Sequence, residues 1–360
     1  MIVLASATFA EKIHGSEFAQ KQIYGTIWFV ALWGILVVSA LCIFPSVLRI
    51  SPAFLLHFSM VIILAGAFIT FLTAKRGNVH IRQGETVNSF VSEGDAKRLS
   101  FPFSVKLLLF DIEYHEDSYQ PVDYISFLMV DDEVCRVSMN RIFKRQGYRI
   151  YQMEYDIDEM GTTLQIAYDP VGIAVTYLGY ILLALSMLWI LFLRIKWKKI
   201  LIITIPLAAI WYYISQLNPM TPVLRSPLLA AHVSIIMVAY LLLLTIMILS
   251  IVGLASTKRR EKIKKVSSYM LYPAIFLLTA GIFIGAVWAN ISWGRYWGWD
   301  AKETWALITL LVYALPFHSR SLPFFRDTKK FHIYNLTAFI TILMTFFGVS
   351  FFLGGIHSYV

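Results

Sequence analysis

Long apolar runs alternate with short polar connections along most of this chain. Residues 24–44, 53–74, 171–193, 200–215, 228–254, 266–288, 305–317 and 331–352 are nearly free of charge. A helix of about 20 residues, rising about 1.5 Å per residue, crosses a hydrocarbon core of about 30 Å. The pattern therefore predicts about eight transmembrane helices, the fourth and seventh short. The opening residues 1–10 are also apolar. A run of about ten without a basic flank is neither a convincing signal peptide nor a span, and fits the stub of a longer first helix.

One stretch breaks the pattern. Between residues 75 and 170, Asp and Glu are abundant, and apolar positions recur with period two at 79–82, 105–113, 124–130, 148–155 and 163–168. That alternation predicts strands of a small β domain. The expected fold is a polytopic all-α membrane protein with a small β-rich extracytoplasmic domain inserted. Its parts are transmembrane helices in 1–74, the β domain in 75–170, a linking helix in 171–200 and a second transmembrane domain in 201–360.

Composition agrees: 58% hydrophobic against 15% charged residues excludes an ordinary soluble domain. A net charge of +9 would suit nucleic acid, but the basic residues cluster in connections between spans: Arg194, Lys196, Lys198 and Lys199; residues 258–265; and Arg320, Arg326, Lys329 and Lys330. The positive-inside rule makes those connections cytoplasmic and leaves no role for nucleic acid. The alternate connections, 216–227 and 289–304, carry only Arg225, Arg295 and Lys302, and residues 354–360 carry no Lys or Arg. They face outward, and counting crossings puts the β domain on the same, periplasmic, side of an inner membrane. The two cysteines, Cys42 and Cys135, form no CxxC and suggest neither a redox pair nor a zinc site.

Laid out as helices, the spans give each histidine a depth. From His57 to Lys75 is about 27 Å of helix, so His57 lies near the inner face, as does His318 beside Arg320. His232 follows the outer connection, and His357 follows the last span. The residues thus supply an inner pair, His57 and His318, and an outer pair, His232 and His357. Imidazole is a good axial ligand for haem iron, and ionisable groups at membrane depth are functional candidates by default. A single intramembrane histidine can equally hydrogen-bond a neighbouring helix. His14, His80, His115 and His332 lie in polar or juxtamembrane stretches, read as solvated, and receive no role.

Residues 288–305 hold five of the ten tryptophans. An aromatic belt at the membrane interface would explain tryptophans, but not Gly, Asp, Lys and Glu interleaved among them. A porphyrin is a flat apolar disc with two carboxylates, and its site needs aromatic faces, close backbone approach and cationic partners. Trp293, Tyr296, Trp297 and Trp299 can line a macrocycle, Gly294 and Gly298 allow close packing, and Arg295 or Lys302 can meet propionates. Asp300 and Glu303 fix the loop's own geometry. On residues alone, a haem-binding membrane protein, a cytochrome b-type electron-transfer subunit and a structural membrane partner all remain open.

The run Trp293-Gly-Arg-Tyr-Trp-Gly-Trp-Asp-Ala-Lys-Glu-Thr-Trp305 resembles the WWD signature of haem-handling proteins in cytochrome c biogenesis. From about Leu201 the chain resembles the CcsA (ResC) component, including His232, His318 and the ending Gly-Ile-His-Ser-Tyr with His357. The front half resembles CcsB (ResB) through Ala7-Thr-Phe-Ala-Glu-Lys-Ile-His-Gly-Ser, Ile23-Tyr-Gly-Thr-Ile-Trp-Phe, Gly147-Tyr-Arg-Ile-Tyr-Gln and Asp169-Pro-Val-Gly. Its outer domain is shorter than is usual for that family.

The resemblance implies a fused CcsB–CcsA synthase of system II, a holocytochrome c synthase handling haem b as ligand and substrate. It implies that His57 and His318 ligate haem entering from the cytoplasm, and that His232 and His357, the catalytic pair, ligate it beneath the WWD loop, with Asp300 counted among the haem-binding residues. The implied partners are apocytochrome c with a CxxCH segment, haem, membrane lipid and a thiol-reducing protein. A haem exporter without attachment chemistry is the alternative within the same resemblance.

Overall fold

The computed structural model describes residues 1–43, 51–93, 96–114, 121–139, 141–194 and 226–353, with Ile202, Ile205, Pro206, Ala209, Tyr212 and Tyr213. Three of the long apolar helices start at a side-chain cap that the sequence announces. Ser51 accepts from Phe54 N at 3.1 Å to open α4 (Pro52–Thr73), and Ser226 accepts from Leu229 N at 3.1 Å to open α6 (Pro227–Ala255). Between them, Asp169 Oδ1 accepts from Gly172 N at 3.1 Å at the start of α5 (Pro170–Arg194). In all three a proline follows the capping residue, where its missing N–H costs nothing.

The remaining helices are α1 (Ile2–His14), α2 (Ser16–Ala19) running into a π turn at Gln20–Tyr24, α3 (Ile27–Ile43), α7 (Arg260–Trp293), α8 (Ala301–Ala314) and α9 (Thr328–Leu343), which continues as a π helix over Met344–Leu353. Among the described residues five helices are long and apolar enough to cross a membrane: α4, α5, α6, α7 and Thr328–Leu353. The bent pair Ser16–Tyr24 and Ile27–Cys42, with 55° between its arms, makes a sixth if it counts as one span. Of the expected eight, five or six are thus found among the described residues. Residues 200–215 lie largely outside the described residues, and α8, at 14 residues, is about 21 Å long and too short to span alone.

Helices α6, α7, α8 and α9 share a core of Leu242, Leu243, Ile246, Leu271, Leu278, Tyr313 and Ile342, all buried. Between lipid-embedded helices such packing comes from close fit rather than from expulsion of water. His332 corrects the reading of it as solvated. It lies on α9 with no exposed surface, between Ser250 Oγ at 3.3 Å and Arg260 O at 3.2 Å.

The β domain is one antiparallel sheet in the order β5-β4-β3-β2-β1-β8-β7-β6. Its strands are β1 (Lys75–Arg82), β2 (Thr86–Ser92), β3 (Arg98–Tyr114), β4 (Pro121–Val130), β5 (Glu133–Ser138), β6 (Phe143–Arg145), β7 (Tyr148–Tyr155) and β8 (Gly161–Tyr168). The period-two segments fall within β1, β3, β4, β7 and β8. The alternation passed over β2, β5 and β6, which are short or broken by polar residues. Ile81, Leu107, Leu128, Val137, Ile150, Leu164 and Ile166 form its sealed core. The central strands β1 and β8 pair from Lys75↔Tyr168 to Arg82↔Gly161 and grow directly from α4 and α5. The sheet therefore stands on the α4–α5 pair as a continuation of it.

Candidate functional site

The inner histidines meet. His57, on the first turns of α4, and His318, at the end of the 3-10 turn Leu315–His318 after α8, have ring centroids 6.0 Å apart with planes at 86°. Each ring donates Nδ1–H to the carbonyl four residues earlier, Ala53 O at 2.7 Å and Ala314 O at 3.1 Å. A carbonyl can only accept, so Nδ1 carries a proton, and in the neutral ring the lone pair then lies on Nε2, where it can meet a metal. Two imidazoles bonded to one metal atom at about 2 Å each place their ring centres about 6 Å apart. The residues fit a shared axial site.

His232, near the start of α6, donates Nδ1–H to Gly281 O on α7 at 2.7 Å, which again leaves the lone pair on Nε2. A Cβ at Gly285 would come within 2.6 Å of the His232 ring, so the absence of a side chain there is what admits the imidazole. Gly281-Ile-Phe-Ile-Gly285 is a GxxxG spacing, a signal the reading of the sequence missed. Gly285 is about 12 Å of helix before Trp293 at the end of α7. His357 lies outside the described residues, so the outer pair is placed at His232 alone.

The Trp-rich loop begins where Gly294, at φ 72°, caps α7 in the left-handed region with Tyr151 of β7 packed against it. Gly298 has only ordinary contacts around its would-be Cβ, the nearest at 3.6 Å, so close packing is required at Gly294 and not at Gly298. Asp300 caps α8 by accepting from Glu303 N at 2.8 Å, and Glu303 Oε2 accepts from Gly298 N at 2.7 Å. These two carboxylates hold the loop's shape, as expected from the sequence.

The aromatic rings divide. Tyr296 is buried among Ile173 and Ala286, and its hydroxyl meets Thr70 at 2.6 Å and Thr176 at 3.3 Å, so it ties the loop to α4 and α5 rather than lining open surface. Trp299, at φ 57°, stacks on Tyr24 at 5.2 Å and 11°, with Phe29 and Trp33 at 5.1 and 5.9 Å. One of its faces is therefore taken by the protein. Trp297 stands edge-on to Trp299 at 5.7 Å, Trp293 meets Trp288 at 4.6 Å, and the Trp297 Nε1 is enclosed without a hydrogen-bond partner among the described residues.

The N-terminal helices clasp the loop in a way the sequence did not announce. Gln20 Nε2 donates to Gly298 O, and Trp305 Nε1 donates to Thr8 Oγ1 at 3.1 Å. Glu11, on α1, has Oε2 enclosed without a hydrogen-bond partner among the described residues, and burial, with the Asp300 charge as the second cause, pushes its carboxyl up to about 7. Burial lowers the Lys302 amine, with Asp300 opposing. On the other side Arg149 Nη1 donates to Asn290 Oδ1 at 3.2 Å, and Tyr151 OH donates to Asn290 O at 3.2 Å, docking β7 on the end of α7. Burial pushes the Cys135 thiol up to about 11, which keeps it unreactive.

The loop and the His57–His318 contact occupy opposite ends of the same helices. Thr70 touches the loop about 20 Å along α4 from His57, and α8 runs from Asp300 down towards His318. Paired imidazoles thus stand at one end of this helical scaffold and the aromatic loop at the other.

The Cytochrome C assembly protein family matches residues 167–357, more than half of the chain, and the chain belongs to that family. The ResB-like family matches residues 46–170. The chain is 38% identical over 162 residues to Protein NrfI of Wolinella succinogenes, covering 41% of this chain and 18% of that protein. It is 36% identical over 155 residues to cytochrome c biogenesis protein CcsA of Chlamydomonas reinhardtii, covering 40% and 44%. With the CcsA of Oryza sativa it shares 47% over 83 residues, covering 23% and 26%. The chain thus spans less than half the length of each of these three relatives. ResB-like and cytochrome C assembly regions in one chain fit a fused CcsB–CcsA protein of system II. It is a multi-pass membrane protein of cytochrome c biogenesis.

Proposed function

We propose that this protein carries haem from the cytoplasmic to the outer side of the inner membrane and attaches it to the CxxCH segment of an apocytochrome c. The observation that carries the reading is the meeting of His57 and His318, two chain-distant imidazoles with Nδ1 held by carbonyls and Nε2 presenting a lone pair. Haem enters there and moves to His232 and His357 beneath the Trp-rich loop. Trp293, Trp297 and the remaining face of Trp299 bound the macrocycle, and Asp300 and Tyr296 hold the loop in place. The β domain and the C-terminus stand on the outer side in this reading.

Each thiol then adds across a haem vinyl group. Sulfur bonds to one vinyl carbon, the thiol proton ends on the other, and the double bond becomes single, so no oxidant is consumed. The protein supplies position and exclusion of oxygen, holding the vinyl carbons near the thiols. The two cysteines must arrive reduced, which calls for a thiol-reducing partner. Detergent-purified protein should show a bis-histidine haem spectrum. His57→Ala and His318→Ala should each lose haem bound on the entry side and regain it with added imidazole; full haem content and unchanged attachment in both variants would refute the entry route.

A further inference from the structure

Among the described residues, five other than glycine have positive φ: Ala96, Asp131, Gln146, Glu159 and Trp299. The first four stand in connections between consecutive strands of the sheet, where left-handed backbone is ordinary. Trp299, at φ 57°, lies in no hairpin, and its bulky ring makes that region unfavourable. Such a conformation persists only where the surroundings over-determine it.

Here they do, and from both sides of the residue. Gln20 Nε2 donates to Gly298 O, the carbonyl of the peptide that precedes Trp299, and Thr304 Oγ1 donates to Trp299 O at 3.3 Å, in the peptide that follows. The two planes whose relative rotation defines the Trp299 backbone are thus both tied, one of them by a side chain from the far end of the sequence. The ring is held by the same segment. The chain bends by 55° between Ser16–Tyr24 and Ile27–Cys42, and Trp299 touches both arms of this elbow. Tyr24 of the first arm stacks on it at 5.2 Å and 11°, and Phe29 and Trp33 of the second stand 5.1 and 5.9 Å away.

The elbow has its own local cause. Gln20–Tyr24 is a π turn that closes with Gly25 N donating to Gln20 O at 2.8 Å, and a Cβ at Gly25 would stand 2.7 Å from that oxygen. The missing side chain at Gly25 therefore lets the turn close and sets Gln20 and Tyr24 together towards the loop. Single π turns inside helices are frequent at functional sites. The two matched family regions cover residues 46–170 and 167–357, so the elbow lies outside both.

We infer that Gln20 and Tyr24 are positioning residues for haem attachment: the elbow seats Trp299 in its left-handed conformation and so fixes the ring against which the macrocycle lies. The inference rests on the reading that haem is attached at the Trp-rich loop. A vinyl carbon must stand within near-attack distance of a thiol, and a small misplacement slows such a step far more than it weakens binding of a large apolar disc.

The test uses full-length protein in nanodiscs, loaded with haem and then given a reduced CxxCH apocytochrome. Haem affinity is read from Soret absorbance, haem orientation from Soret circular dichroism, attachment from the rate of thioether formation, and loop order from hydrogen exchange over residues 297–300. Tyr24→Phe keeps the stacked ring and should behave as wild type. Tyr24→Leu and Gln20→Ala should attach haem about ten- to a hundred-fold more slowly at saturating apocytochrome, with affinity changed by less than about threefold. Both should also show altered Soret dichroism and faster loop exchange.

Unchanged attachment and dichroism in both Tyr24→Leu and Gln20→Ala overturn the inference. So does a loss of affinity and rate in equal proportion with the dichroism unaltered, which makes the elbow merely structural. A wild type that binds no haem, or binds it without attaching it, fails the proposed function itself and takes the inference with it, a result distinct from any in which only the variants change.

Discussion

The imidazoles carry the account at the scale of single residues, and their hydrogen bonds say more than their positions. His57, His318 and His232 each present Nδ1 to a backbone carbonyl, a common arrangement that fixes one tautomer on all three rings. Glu11 is the residue that sequence reasoning passed over. It lies in a stretch quoted for resemblance alone, and its setting depends on contact with Asp300, far along the chain. Its folded value of about 7 stands above the ordinary 4.5. Between those values the folded state therefore binds more protons than the unfolded one, and stability falls as pH rises. Thermal midpoints of wild type should drop from pH 4.5 towards pH 7, whereas Glu11→Gln should give a flatter profile and a higher midpoint at pH 8.

Individual elements show what the hydrophobic pattern could and could not convey. Spans α4 to α7 were legible because long uncharged runs have no other stable fate, and their starts because Ser-Pro or Asp-Pro stands at three of the four. The GxxxG at Gly281 and Gly285 was not, since glycine in an apolar helix carries its meaning only once the facing ring is known. Adding a methyl at Gly285 pushes on His232 at 2.6 Å. Gly285→Ala should cost about 1–3 kcal/mol as overpacking and weaken haem binding at the loop; unchanged denaturation and titration curves would detach His232 from that contact. At the junction, Tyr296→Phe removes the hydroxyl contacts to Thr70 and Thr176. A loss of about 1 kcal/mol in detergent unfolding, with more rapid proteolysis of the loop, is the expected outcome.

The whole molecule couples two regions that different family models match. The sheet is continuous with α4 and α5, rests on α7 through Tyr151 and Asn290, and reaches the loop through Gly294. The presence of a β domain was readable from alternation. Its docking on the Trp-rich loop was not, because Arg149 and Tyr151 read as ordinary strand residues. Likewise the depth of His57 and His318 followed from counting residues to charged boundaries, but their meeting depended on how α4 packs against the end of α8. The separation of the two ends of α4, about 20 Å from His57 to Thr70, makes transfer a discrete step. Blocking the loop side should therefore trap haem at the entry side: a His232→Ala, His357→Ala variant should keep a haem signal that His57→Ala abolishes.

The central claim, attachment beneath the loop, is tested most directly by coexpressing the protein with a CxxCH-containing apocytochrome and scoring covalent haem on the product. Wild type is compared with His232→Ala and His357→Ala. The account predicts thioether-bound haem with wild type and its loss, together with the loop-side haem spectrum, in either variant. Attachment at the wild-type level without either histidine would contradict it.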